Sequence, residues 1–505
     1  MRRLILLSFF LALFASLWLQ SASAAEERSI GFIHVNDVYQ IAPIDPKTPR
    51  GGLARLATLV RETKERNPGT LFFMGGDTLS PSMESVLFKG KQMIAAWNAL
   101  GLDAAVYGNH EFDFGPDILR QRLAESRFPW LAANLRGVDG APLPNTFASK
   151  IFELNGIKVG VVGLITPDTA NLSKPGKTLA FDDLKASATR AVVELKAQGA
   201  QIVVGLTHVS IDDDRELAAL GVFDLILGGH EHYLISELVG RTPIFKAGSD
   251  VRDALHIRLR FGPVGDDRLR GLTWEWLPLD KSVAEDKAVL ALAAAFDKQV
   301  EARLGEVIGR TSVGLDGRTA SVRSRETNLG NFVADALRQA TSAEVALLNG
   351  GGLRADRITG PGPLTRRDVR AWLPFENTVV VLGASGKVLR QALEHGLGKM
   401  LQNGADGAMP QVSGIRLSYD PGKPAGQRIL AISINGQPLE EERIYRVVTT
   451  SFLAGGGDAY AMLPALPVLR PGEGSPLDAD MVVDAIVAAK LIAPKVEGRI
   501  ERVGR

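Results

Sequence analysis

A chain of 505 residues with 45% hydrophobic side chains exceeds what one typical core organises, so two or more domains are expected. Its 58 basic and 57 acidic residues nearly cancel and no long basic run occurs, which excludes a nucleic-acid polymer or an anionic membrane surface as the expected partner. The absence of cysteine excludes disulfides, thiolate zinc sites and a lipid-modified N-terminal cysteine.

Arg2 and Arg3 open the chain, an apolar run follows from Leu4 to Leu19, and the small residues Ala22, Ser23 and Ala24 end it. That order predicts a secretory signal peptide over residues 1–24 and a periplasmic or secreted protein. The run is slightly long for a signal core and slightly short for a bilayer span, so an uncleaved anchor helix is the alternative. After cleavage no stable membrane insertion is expected, because the charged stretch Val496–Arg505 lacks the hydrophobic tail of a lipid-anchored precursor.

From Ile30 to Glu275, short apolar runs alternate with segments of helical periodicity, predicting an α/β catalytic domain, a sheet layered with helices, over residues 25–282. The Ala-rich stretch Val289–Val300 contains no Gly or Pro and predicts a linker helix within residues 283–307. Residues 308–505 alternate helices with β-branched strands again, with turn signals at Asn349–Gly352 and Ala454–Asp458, predicting a smaller α/β domain.

Five apolar runs of the first segment end in an oxygen or nitrogen ligand. Ile30–Val35 leads into Asn36 and Asp37, Leu71–Met74 into Asp77, and Ala104–Tyr107 into Asn109 and His110. Ile202–Thr207 leads into His208, and Phe223–Leu227 leads through Gly228 and Gly229 into His230, Glu231 and His232. Carboxyl ends of strands in an open α/β sheet converge on one crevice, and carboxylate, carboxamide and imidazole together suit zinc, manganese, cobalt or magnesium. Taken singly, an Asp there is a helix cap and a His is structural. Five in order at strand ends favour a metal site. His34, His256 and His395 lie inside periodic segments and are expected to serve packing or hydrogen bonding.

These residues resemble the family of bacterial periplasmic UDP-sugar hydrolase/5'-nucleotidases and animal ecto-5'-nucleotidases. The resemblance is carried by Asn36-Asp37, Gly75–Thr78, Gly108–Gly115, Thr207-His208 and Gly228–His232. Glu326–Asn331, Asn349–Arg354, Leu373–Phe375 and Ser451–Asp458 carry it through the second half. It implies an N-terminal calcineurin-like metallophosphoesterase β-sandwich layered with helices, a linker helix and a 5'-nucleotidase C-terminal domain. It also implies two divalent metal ions, with Asp77 bridging them, Asp37 and His232 completing one site, and Asn109, His208 and His230 completing the other. Residue 39 departs from the pattern, since many relatives carry His two positions after the first Asp whereas this chain reads Asp37-Val38-Tyr39. A neutral phenol, with a pKa of about 10, is a poor ligand unless the metal deprotonates it. The first site is therefore expected to bind metal more weakly, to use water at that position, or to prefer another ion.

The resemblance assigns His110 to transition-state stabilisation and protonation of the leaving oxygen, with Asp113 orienting its imidazole. Capping of a helix that begins near Pro116 is the alternative for Asp113. In the second domain it assigns Phe375 and Phe452 to base stacking, Asp458 to the ribose hydroxyls, Asn349 to the base edge, and Arg323 and Arg354 to phosphate. Arg325 replaces Arg323 if the register of Arg323-Ser324-Arg325 is shifted. The implied activity is hydrolysis of nucleoside 5'-phosphates by in-line attack of a metal-activated water. UDP-sugar hydrolysis and 2',3'-cyclic-nucleotide or 3'-nucleotide hydrolysis use the same constellation, and a non-catalytic nucleotide-binding protein is the remaining class.

Overall fold

The computed structural model describes residues 27–43, 50–140, 143–472 and 475–503. The leader expected at residues 1–24 lies outside the described residues.

Two sheets face each other in the first half. One is seven-stranded, in the order Leu269–Pro278, Asp253–Phe261, Arg28–Val35, Thr70–Met74, Ala104–Val106, Trp130–Leu131, Thr146–Phe147. The other is six-stranded, in the order Leu234–Val239, Thr242–Ala247, Leu225–Gly228, Ile202–His208, Ile157–Ile165, Ser149–Leu154. Ile30, Phe32, Leu71 and Phe73 of the first meet Val159, Val161, Val204 and Leu206 of the second in a buried layer. The alternate residues Ile33, Val35, Phe72 and Met74 face outward, against Leu56, Leu59 and Trp97 of the helices Leu53–Arg66 and Lys91–Leu100. Because both faces of these strands are covered, they read as continuous apolar runs rather than alternating ones.

Arg28–Val35, Thr70–Met74 and Ala104–Val106 run parallel, as do Ile157–Ile165, Ile202–His208 and Leu225–Gly228. Within each sheet the carboxyl ends therefore share one edge. His34 bridges the sheets, its Nε2 lying 2.9 Å from the Gly228 carbonyl.

The helix between the two halves spans Lys287–Leu304, with the Asp286 carboxylate accepting from the Ala288 and Val289 amides at 2.9 and 3.2 Å. Val289, Leu292 and Phe296 pack into the helical layer of the first half, and Phe296 meets Phe88 at 4.9 Å between ring centres. Arg367 of the second half reaches the same helix at Asp297, 2.5 Å away.

The second half is built on a five-stranded sheet in the order Pro410–Ser413, Val345–Asn349, Ile444–Thr450, Val379–Ser385, Val468–Arg470. Helices Asn328–Thr341 and Asp478–Ala489 cover one face and Gly386–Asn403 covers the other. Val345–Asn349 and Ile444–Thr450 are parallel neighbours, so Asn349 and Phe452 leave the sheet at the same edge.

Candidate active site

The strand ends of the first half turn sharply. Asp37, Asp77 and His230 hold φ values of 54°, 61° and 85°, a region that non-glycine residues enter only when their surroundings hold them there. Here the surroundings are hydrogen bonds. The Asp37 Oδ2 accepts from the Asn36 side chain at 2.7 Å and from the His230 amide at 2.9 Å. The Asp77 Oδ1 accepts from the His110 amide at 2.8 Å. The buried Glu111 carboxylate accepts from the amides of Asp77, Thr78 and Gly108 at 3.0, 2.6 and 2.5 Å, clamping the two ligand loops together. A Cβ at Gly108 would lie 2.1 Å from Asp77 Oδ1, and one at Gly76 would lie 2.5 Å from His208 Nδ1, so the loops approach this closely only through glycine.

The expected ligands converge. Asp77 Oδ2 lies 3.3 Å from His208 Nε2, and Asp37 Oδ1 lies 3.2 Å from His232 Nε2. The His208 and His230 rings meet edge to face at 5.2 Å. Among the described residues, Asn109 Oδ1 and His208 Nε2 are buried without a hydrogen bond, and both are ligand atoms of the expected second site. Orphaned lone pairs beside a buried carboxylate fit a divalent cation, which would supply the partner they lack. Burial and the neighbouring His208 push His230 down to about 3, and burial pushes His232 down, so both favour the neutral form that ligates metal. Burial alone would lower His208, but the Asp77 carboxylate outweighs it and pushes the ring up to about 10. A cation at Asp77 would take the place of that proton.

His110 stands at the edge of this group. Its Nδ1 is 2.8 Å from Asp113 Oδ2, and the Ser173 hydroxyl donates to the other Asp113 oxygen at 2.6 Å. The following helix, Gly115–Glu125, has no side-chain cap, so Asp113 is engaged with the imidazole and not with the helix end. Burial works against a charged His110, but Asp113 and Asp77 together outweigh it and raise its pKa, keeping a proton available on the ring.

The second half closes over the same face. The Arg354 guanidinium lies 5.1 Å from the Tyr39 ring centre and 5.7 Å from that of Phe375. Phe375 stacks on His110 at 5.6 Å. Arg323 and Arg354 line a cleft of about 1680 Å³ together with Tyr39, His230 and His232. Arg325 instead donates to the Ser321 hydroxyl at 2.9 Å. Asn349 Nδ2 donates to Asp458 Oδ2 at 2.7 Å, and His395 Nε2 lies 2.8 Å from the Asp458 carbonyl oxygen. Phe452 packs against Gly457 and the apolar core of its own half. No ring contact joins it to Phe375 among the described residues. His256 pairs with Glu275 at 3.1 Å, a surface role.

Sequence reasoning passed over Glu111, Ser173 and Lys246. The Lys246 ammonium is fully buried, donates to the carbonyls of Val209 and Gly229 at 2.7 and 2.8 Å, and pairs with Asp214 at 2.9 Å and with Glu231. It thereby ties the loop after His208 to the loop that carries His230 and His232. A lysine closing the apolar run Pro243–Phe245 of the strand Thr242–Ala247 was the available signal, since an amine is buried there only with partners.

Both halves of the chain resemble known proteins. Residues 30–234 match the model of the calcineurin-like phosphoesterases, and residues 307–465 match that of the 5'-nucleotidase C-terminal domain. A snake venom 5'-nucleotidase from Naja atra is 31% identical, over 89% of this chain and 92% of that protein. A trifunctional nucleotide phosphoesterase from Bacillus subtilis is 30% identical, over 93% of this chain and 35% of that protein. The crystal structure of a 5'-nucleotidase precursor from Thermus thermophilus superposes with a TM-score of 0.84 at 30% identity, covering 95% of this chain and all of that one.

Proposed function

This chain belongs to the 5'-nucleotidase family that joins a calcineurin-like phosphoesterase domain to a 5'-nucleotidase C-terminal domain, and on that premise we propose that it hydrolyses nucleoside 5'-phosphates outside the cytoplasm. The observation that carries the reading is the reach of Arg354 and Phe375 from the second half onto Tyr39 and His110 of the first, which puts a phosphate-binding guanidinium over the ligand cluster.

Asp77 would be shared by two divalent ions, Asp37 and His232 would complete one site, and Asn109, His208 and His230 the other. When bound, the pair supplies a water of lowered pKa and neutralises charge on the phosphoryl oxygens. The chain's own residues do the rest. Arg323 and Arg354 hold the phosphate in line, and His110, oriented by Asp113, delivers a proton to the departing 5' oxygen. Asp458 and Asn349 hold the ribose and the base edge, and Phe375 and Phe452 supply the aromatic faces for the base, within a nucleoside-holding domain over residues 308–505.

A cleft of about 1680 Å³ exceeds the roughly 300–1,000 Å³ of an ordinary small-molecule pocket. The cleft beside the ligand cluster therefore has room for a substrate larger than a nucleoside monophosphate, and UDP-sugars are the second substrate class. Phosphate release from AMP, 3'-AMP, 2',3'-cyclic AMP and UDP-glucose, each with manganese, cobalt, zinc or magnesium, separates the readings. AMP is expected to be hydrolysed fastest and UDP-glucose second. Faster release from 3'-AMP or the cyclic ester would move the assignment to that activity, and binding of AMP without release in any metal would make the protein a nucleotide binder.

The leader Arg2–Ala24 supports export to the periplasm or medium. N-terminal sequencing of the protein recovered from those fractions should read from Ala25; an intact Met1 in all of them would rule out cleavage.

A further inference from the structure

We propose that the Tyr39 hydroxyl oxygen is itself a ligand of the metal held by Asp37, Asp77 and His232, which makes this site oxygen-rich and harder than its neighbour. The proposal rests on the metallophosphoesterase reading above and deepens it.

Tyr39 follows Asp37 at the end of the first strand, with the wholly buried Val38 between them. Its hydroxyl oxygen lies 2.9 Å from His232 Nε2, 3.1 Å from Asp37 Oδ1 and 3.5 Å from Asp77 Oδ2, while Asp37 Oδ1 and His232 Nε2 are 3.2 Å apart. Ligand atoms bound at about 2.1 Å to one cation stand roughly 3.4 Å apart in a tetrahedron and about 3.0 Å apart as octahedral neighbours. The observed separations, 2.9 to 3.5 Å, bracket those two values.

Hydrogen bonding accounts for two of the three contacts, the His232 Nε2 donating to the phenol and the phenol to Asp37 Oδ1, and leaves the 3.5 Å approach to Asp77 Oδ2 unmatched. A phenol has one proton, so it can donate to only one of the three groups around it. The two carboxylates have only lone pairs to offer, and the phenol's own lone pairs would face at least one of them without a proton between. A cation at the centre removes that conflict. The ring is fixed for the role, with Arg354 5.1 Å above it, His110 edge-on at 6.1 Å and His232 at 5.6 Å.

As the oxygen–metal bond forms, the phenolic proton passes to solvent and the donor becomes a phenolate. The site then carries Asp37, Asp77 and a phenolate as anionic oxygens beside one imidazole, whereas its neighbour shares Asp77 and adds a carboxamide and two imidazoles. Anionic oxygen donors favour harder or more highly charged ions, so the two positions should differ in metal preference.

The test has two readouts besides activity. Metal-free protein loaded anaerobically with iron(II) and then oxidised should show the visible charge-transfer band of a phenolate on iron(III), and Tyr39→Phe and Tyr39→His should lack it. Metal analysis and calorimetry with zinc should find two ions in the parent, at least tenfold weaker binding of one of them in Tyr39→Phe, and two ions again in Tyr39→His. Absence of the band in the parent, or parental affinity at both sites in Tyr39→Phe, overturns the proposal while leaving the enzyme assignment standing. A parent chain that binds no metal at all refutes the metallophosphoesterase reading itself.

Discussion

Asp77→Asn is expected to lower phosphate release by roughly 10³-fold, since paired metals contribute several kcal/mol and about 1.4 kcal/mol corresponds to each tenfold in rate. The carboxylate sits between the two ligand groups, 3.3 Å from His208 on one side and 3.5 Å from the Tyr39 hydroxyl on the other. A carboxamide keeps the shape but removes the negative charge that two cations would share. The loop itself should survive, because Glu111 holds it through backbone amides and Asn tolerates the left-handed φ of 61°. The loss should therefore appear in metal content and turnover, with the thermal midpoint shifted by no more than a few degrees. Turnover within tenfold of the parent at two bound metals would sink the bridging role.

The second large effect concerns His110. His110→Asn should reduce kcat on AMP by about 10²–10⁴, the range for a general acid, with little change in KM. Asp113→Asn should cost less, roughly 10–100-fold, because it disorients the imidazole without removing it. The 2.8 Å contact between His110 and Asp113 and the 2.6 Å contact from Ser173 define that support. A phosphate ester with a good leaving group, such as 4-nitrophenyl phosphate, needs no proton on departure. The variant should lose far less on that ester than on AMP. Equal losses on both would remove the proton-donor assignment and leave His110 as a stabiliser of phosphoryl charge.

The metal-ligand candidates were legible because their information is local. Each lies two to four residues past the end of an apolar strand or, for His208, at its last residue, and parallel strands in one sheet must deliver those ends to one edge. The stretches around Asp113 and Asp458 were legible as motifs. Glu111 stood inside such a motif yet gave no sign of its work, because a carboxylate that accepts from the amides of Asp77 and Thr78 acts on backbone more than 30 positions earlier in the chain. Lys246 was hidden for the same reason, its partner Asp214 lying in the helix Ile211–Ala219 and its partner Glu231 on a separate loop.

The sequence by itself determined the mixed α/β character, the helix between the two halves, the candidate ligand residues and the departure at Tyr39, since hydrophobic periodicity and residue chemistry are properties of short stretches. Only the tertiary structure decided what that departure amounts to. Whether a tyrosine two residues after Asp37 points into solvent or meets Asp77 and His232 within 3.5 Å depends on how strands nearly 200 residues apart pack and on Arg354 closing from the other half. Periodicity sets which way a side chain leaves its own strand; the distance to its partners is set by the packing of everything between.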